Sequence, residues 1–437
     1  MPGSGRRLRG ANERSRLVSR VPIYYGWVIL IAAGIGIIMT SPGQTYSVSI
    51  FIEHFIEDLG LSRGLVSTLY TVGTLLASFA LPAIGRQIDR RGPRAMVGYI
   101  TLGLAMACVY MGFVQNAVML GAGFVLIRML GQGSLGMVST NVVNRWWVRR
   151  RGSVLAMVTV LTGLLGSGSF PSLIQALIGR FGWRVTYPLL GGLVAAVMLP
   201  VGLAFYRRDP ESFGLLPDGA KLRTAAGEDP AQRDPVEENW TRSEALHTRA
   251  FWIIGLAGAT NSMLGTGLQF HMVSIFADAG LSAAAAAAAF MTIATAGAVV
   301  RLIAGLLVDR APIRYLLAVA LVGQAVSLWM APRLTSMASA RFYGIVMGIT
   351  GALSMTVSAV VWAKYFGRQH LGAITGVSSM IGVAGSALGP MPMGIARDLL
   401  GSYTWALTVL AAWPLLLSVG VLFTRRPRRQ TPEPLAA

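Results

Sequence analysis

The chain reads as an all-α membrane protein of twelve transmembrane helices, arranged as two six-helix pseudo-repeats. Three observations lead there. Of its 437 residues, 54% are apolar and 13% charged, whereas soluble domains carry about 25% charged residues. Twelve apolar runs are each long enough to cross a hydrocarbon slab of about 30 Å. Motifs in the first half also recur in the second at a nearly constant offset.

Taken in order, residues 1–21 form a basic tail with Arg6, Arg7, Arg9, Arg14, Arg16 and Arg20. It runs into a long apolar stretch with no small-residue cleavage site, so it reads as retained. The first bundle, 22–206, holds apolar runs at 22–48, 64–85, 94–114, 117–144, 152–178 and 184–206 (spans 1 to 6). Glu53, Glu57 and Asp58 are expected to follow span 1, so that no acid falls within a span. Residues 207–249 are a polar linker with Pro210, Pro217, Pro230 and Pro235, carrying a short amphipathic helix near 240–247. The second bundle, 250–424, holds runs at 250–277, 283–308, 313–332, 337–363, 371–396 and 402–424 (spans 7 to 12), and 425–437 is a second tail.

Orientation follows from lysine and arginine placement. With both termini on one side, 30 of the 37 basic residues fall on that side, Arg301 counted with the end of span 8. Arg63, Arg180, Arg184, Arg333, Arg341 and Arg397 fall opposite, and Arg128 is left inside span 4. Positive charge is retained on the cytoplasmic side, so both termini are expected in the cytoplasm of a multi-pass protein of the cell (inner) membrane. The same bias accounts for the net charge of +19 without a nucleic-acid partner. The single cysteine, Cys108, excludes a disulfide within the chain.

The repeat is specific. Gly85-Arg86-Gln87-Ile88-Asp89-Arg90 matches Gly305-Leu306-Leu307-Val308-Asp309-Arg310 at an offset of 220, and Trp146-Trp147-Val148-Arg149 matches Tyr365-Phe366-Gly367-Arg368 at 219. Gly166, Pro171 and Gly182 match Gly385, Pro390 and Gly401 at the same 219. Duplicated halves imply alternating access, with substrate held between them. In the Gly-x-x-x-Asp-Arg motifs, Gly85 and Gly305 allow close helix approach. Asp89, Arg90, Asp309 and Arg310 can latch one conformation through charge pairing.

Arg301 lies 8 residues before Asp309, roughly 12 Å from the membrane surface at about 1.5 Å per residue. A charge at that depth is costly and marks a substrate or ion pathway. The repeat places Leu81 opposite it, so Arg301 is no part of the duplicated latch. A guanidinium offers a carboxylate two parallel donors. Arg128, among glycines in span 4, is expected to serve packing or gating. His271, 7 residues before Asp278, belongs to the residue type that titrates near neutral pH, and it could take a coupling proton or donate to substrate. Asn261, Gln269, Thr40, Gln44 and Tyr46 are further polar groups in spans 7 and 1. Gly163, Gly166, Gly168, Pro171, Gly385, Gly389 and Pro390 would let spans 5 and 11 bend or pack closely.

These features resemble the major facilitator superfamily, and within it the monocarboxylate transporter and oxalate–formate antiporter branch. The resemblance rests on Tyr25-Gly26-Trp27, Arg128-x-x-Gly131-x-Gly133, Arg149-Arg150-Arg151-Gly152 and Pro210-Glu211-x-x-Gly214-Leu215-x-Pro217-Asp218-Gly219. Tyr365-Phe366-Gly367-Arg368, Gly389-Pro390 and Gly401-Ser402-Tyr403 complete it. It implies the major facilitator fold and a secondary transporter, with Arg301 as the carboxylate-binding arginine of span 8. Tyr25, Asn261 and His271 are further substrate-contact candidates.

Two departures narrow this expectation. Gly297 stands where proton-coupled relatives often carry an acid or amide, and spans 1 and 11 lack lysine. A single cation suits a monoanion better than oxalate. The expected protein moves small organic anions, monocarboxylates first, by proton symport or anion exchange. It is expected to be a monomer in the bilayer with no cofactor, metal or catalytic residue. The alternatives are an exporter of larger amphipathic compounds by proton antiport, and a receptor that keeps the fold without transport.

Overall fold

The computed structural model describes residues 22–162, 165–166, 169–219, 238–281 and 283–427, all helices and connections with no strand among them. The two expected tails lie almost wholly outside the described residues, as do Gly163, Gly168 and the middle of the linker. Among the described residues, ten helices are long and apolar enough to cross a membrane. Span 7, Arg249–Asp278, is 30 residues long, but Thr260, Asn261, Ser262, Gln269 and His271 lower its hydropathy. Of span 5, Arg151–Thr162 and Phe170–Phe181 are described as α-helices, with π-helical residues 165–166 and 169 between them.

Span 1 departs from the expected 22–48. It is helical over Gly26–Ile38, tightens to a 3-10 turn at Ser41–Gly43, and resumes as Thr45–Leu59. Pro42 cannot donate to the helix ladder, and the Thr40 and Ser41 hydroxyls donate to Ile37 O and Ile38 O, each at 2.6 Å. Glu53, Glu57 and Asp58 therefore lie on the helix instead of after it. A polar face does not end a helix. Gly60 does, at φ 62°, with Leu61 N–H returning to Ile56 O, the left-handed cap that glycine favours. Asp58 accepts from Trp183 Nε1 at 2.6 Å.

Span 4 contains a π-helical stretch, Arg128–Leu135, between Ala117–Ile127 and Gly136–Trp146. Span 11 divides into Leu371–Leu388 and Pro390–Leu400 at Gly389. An added Cβ on Gly389 would sit 2.3 Å from Met263 O, so spans 7 and 11 touch backbone to backbone there. In the linker the expected amphipathic helix shrinks to Arg242–Leu246, started by a reciprocal Thr241–Glu244 capping box.

The chain divides into two compact units, residues 1–73 with 84–235, and residues 74–83 with 236–437. The repeat is visible in their packing. Span 6, Trp183–Phe205, packs on span 3, Pro93–Gly112, as span 12, Thr404–Leu422, packs on span 9, Ile313–Met330. Span 1 packs on spans 4 and 5, as span 7 packs on spans 10 and 11. Span 8, Ala283–Arg310, lies along span 10, Met337–Phe366, more intimately than any other pair in the second unit.

Candidate functional site

The second unit presents Arg301 on span 8. It is half-buried, and its Nε is shielded from solvent without any hydrogen-bond partner among the described residues. No ion pair neutralises it there. Its position is set by the contact between spans 8 and 10. An added Cβ at Gly348 would lie 2.7 Å from Ile293 O, and one at Gly344 would lie 3.0 Å from Ala289 O. Glycine at those two places lets span 8 rest on the span 10 backbone, with Gly297, one turn before Arg301, near Gly348 O. The gap left by the missing acid at Gly297 is thus a packing contact.

Depth separates the other candidates. At about 1.5 Å per residue, Arg301 is roughly 27 Å along span 8 from its Ala283 end, and Asn261 is roughly 26 Å from the adjoining Asp278 end of span 7. Ser354 on span 10 falls at the same level by the same measure and donates to Asn261 Oδ1 at 3.1 Å. Arg301, Asn261 and Ser354 therefore occupy one layer. His271 does not. Only 7 residues from Asp278, it lies roughly 16 Å from that layer along the axis, too far to share one small anion with Arg301. Its Nδ1 is 3.0 Å from the Tyr403 hydroxyl.

In the first unit Arg128 is 5% exposed and fully engaged. It donates to Gly43 O at 3.0 Å and Thr45 Oγ1 at 3.3 Å, and lies 4.9 Å from the Tyr70 ring centre. It ties the break in span 1 to the π-helical stretch of span 4, the kind of irregularity that collects at functional places. Thr40, Gln44 and Tyr46 spend their hydrogen bonds within the same break: Gln44 Nε2 donates to Thr40 Oγ1, and Tyr46 pairs with Ser41. Tyr25 is buried against Trp146, with its hydroxyl donating to Phe205 O at 3.0 Å. It packs the foot of span 1, with its one hydroxyl hydrogen given to backbone.

The motif residues sit at the helix ends. Gly85 and Gly305 are buried, and Arg90 and Arg310 are exposed. Asp89 meets Arg145 at 2.7 Å, both nearly inaccessible to solvent. Sequence reasoning missed Arg145, yet the repeat held the signal: an offset of 219 carries it to Lys364, whose ammonium donates to Val308 O, next to Asp309. Asp309 is half-buried and also engaged. The capping role of the linker was missed in the same way. The Asp218 carboxylate accepts from the N–H groups of Val148, Arg149 and Arg150 at 3.1, 2.9 and 3.2 Å. Asn239 Oδ1 accepts from Arg368 and Gln369, each at 3.0 Å. These are repeat-equivalent helix starts, each closed by a linker residue satisfying its free N–H groups. Beside the first, burial foremost and then the Asp218 carboxylate push the Tyr24 phenol upward.

The comparisons agree with this architecture. Over 405 residues the chain is 24% identical to monocarboxylate transporter 13 of Rattus norvegicus, covering 92% of this chain and 89% of that one. It is 26% identical to a probable L-galactonate transporter of Escherichia coli (strain K12) and 24% identical to the oxalate:formate antiporter of Oxalobacter formigenes. In those two matches the chain spans little over half of the relative, 53% and 57%, and 57% and 59% of its own length. The solved structure of the human organic anion transporter MFSD10 (TETRAN) superposes with a TM-score of 0.67 at 15% identity, covering 92% of this chain and 100% of that one. The family model of the Major Facilitator Superfamily matches residues 33–345. Helical bundles, repeated motifs and this match lead to one conclusion: the chain is a multi-pass membrane protein that belongs to the Major Facilitator Superfamily, a family of transporters and not of enzymes.

Proposed function

We propose that the protein is a secondary transporter of small organic anions bearing one carboxylate, working by alternating access between its two halves. One observation carries this reading: Arg301 is a half-buried guanidinium at membrane depth with no partner among the described residues. Leaving a charge there uncompensated is expensive, and a carboxylate that seats on its two parallel donors relieves the cost. Asn261 and Ser354, already bonded to each other, supply amide and hydroxyl groups at the same level.

The relatives named for oxalate and formate, L-galactonate and monocarboxylates all handle carboxylates. A lone cation favours monoanions over oxalate. Asp89 and Asp309 serve as conformational latches at the cytoplasmic ends, and both termini face the cytoplasm. Where protons travel with substrate, His271 carries them.

The test is uptake of labelled lactate, pyruvate, formate and oxalate by proteoliposomes, with and without an acid-outside gradient. Saturable monoanion uptake is expected, driven by the gradient or by internal anion. Failure of all four, with extrusion of amphipathic dyes instead, would replace this reading with that of an exporter.

A further inference from the structure

Resting on the reading of His271 as proton carrier, we propose that Tyr403 and the small cavity beside it form a proton antechamber that loads His271 separately from the Arg301 layer. The cavity occupies the Asp278 end of the second unit, the end that the arginine bias assigns to the outside. It measures about 240 Å³ and is lined among others by Asp278, Gly401, Ser402, Tyr403 and Thr404. That is room for several waters with polar partners on more than one side.

The geometry around Tyr403 suits both protonation states of the imidazole. The hydroxyl lies 3.0 Å from His271 Nδ1 and 3.1 Å from Ser274 Oγ, and it has one hydrogen to give. With Nδ1 bare, that hydrogen donates to Nδ1. With Nδ1 protonated, the ring N–H donates to the Tyr403 oxygen, and the phenol hydrogen turns to Ser274. Both states keep the Nδ1–Tyr403 hydrogen bond.

Loading then balances atom by atom. A hydronium in the cavity gives a proton to the Tyr403 oxygen as the phenol O–H bond breaks toward Nδ1. Water, a neutral phenol and an imidazolium remain.

One neutralised ion pair and one further cation lie near this path. Asp278, on the histidine's own helix, pairs with Arg397 at 2.8 Å. The Arg397 guanidinium lies 5.7 Å from the Tyr403 ring centre. Arg333 is held on Trp329 O at 2.6 Å. Gly394 brings bare backbone against the ring, since an added Cβ there would be 3.7 Å from His271 Cε1.

The experiment uses the full chain in lipid nanodiscs with ring-15N histidine. Its 4 histidines give few signals, and His271→Gln identifies the relevant one. Tyr403→Phe removes the hydroxyl that relays the proton, so exchange of the His271 ring proton with water, read from its ring-15N signal, is expected to slow about tenfold. In proteoliposomes given labelled lactate outside, the ratio of gradient-driven uptake to exchange against internal unlabelled lactate is expected to fall about tenfold in Tyr403→Phe. The same fall is expected in Ser402→Trp, which fills the cavity while leaving the phenol in place.

An unchanged proton-exchange rate at His271 in Tyr403→Phe overturns the proposal. Driven uptake lost in His271→Gln but intact in Tyr403→Phe and Ser402→Trp overturns the antechamber alone. Driven uptake that survives His271→Gln removes the proton-carrier reading and the antechamber with it.

Discussion

Replacing Arg301 by alanine separates a binding charge from a structural one. Among the described residues its guanidinium holds no carbonyl and no carboxylate, so truncation should leave no orphaned partner. The cost to folding should stay within about 1 kcal/mol, a Tm change of a few degrees at most. Binding should respond differently. Each hydrogen bond to a charged group contributes about 1.5–3 kcal/mol, and a carboxylate on the fork makes two. Allowing for water that takes their place, a loss of roughly 3 kcal/mol, or about a hundredfold in affinity, is expected. Lysine restores the charge without the fork and should recover at most about tenfold. The assay pairs concentration-dependent lactate uptake with thermal unfolding of the detergent-solubilised protein. Uptake with an unchanged KM in Arg301→Ala would refute the substrate role. A drop in Tm of ten degrees would show a structural charge instead.

Three further outcomes follow from the same geometry. Asp89→Ala takes the 2.7 Å carboxylate partner from a buried Arg145, which should cost about 3–5 kcal/mol; the double change Asp89→Leu with Arg145→Met should recover most of it, read by thermal unfolding, and both should alter the side on which engineered cysteines are labelled. Gly348→Ala drives a Cβ against Ile293 O, so a loss of about 1–3 kcal/mol and a raised KM are expected, while Gly351→Ala, whose added Cβ meets nothing, should be neutral in both assays. Asp218→Ala removes the acceptor for three N–H groups at the start of Arg151–Thr162 and should lower stability by about 1–2 kcal/mol; Asp218→Asn, which keeps an acceptor oxygen and tolerates the left-handed backbone, should lose less.

Much of this molecule was legible in its order of residues, because a bilayer imposes simple demands. Apolar runs of sufficient length, basic residues biased to one side and a repeat near 219 residues are one-dimensional signals, and each reflects a solvent that tolerates little else. Arg301 was visible for the same reason, being a charge where charges are costly. The repeat also encoded the Arg145–Lys364 equivalence.

What it could not convey is which groups satisfy one another. Span 1 continues through Glu53, Glu57 and Asp58 because Gly60 caps it, and a cap depends on backbone angle more than on polarity. Tyr25 is a packing residue because its hydroxyl finds Phe205 O. Among the described residues Arg128 is occupied and Arg301 is not, although both are arginines in apolar helices. His271 and Arg301 lie at different depths, which follows only once both helices are traced from a common end. Hydrogen bonds between Asp218 and Val148, or between Tyr403 and His271, join residues 70 and 132 apart in sequence. Their existence is decided by how helices pack, since a donor's partner is whatever the tertiary fold brings within about 3 Å.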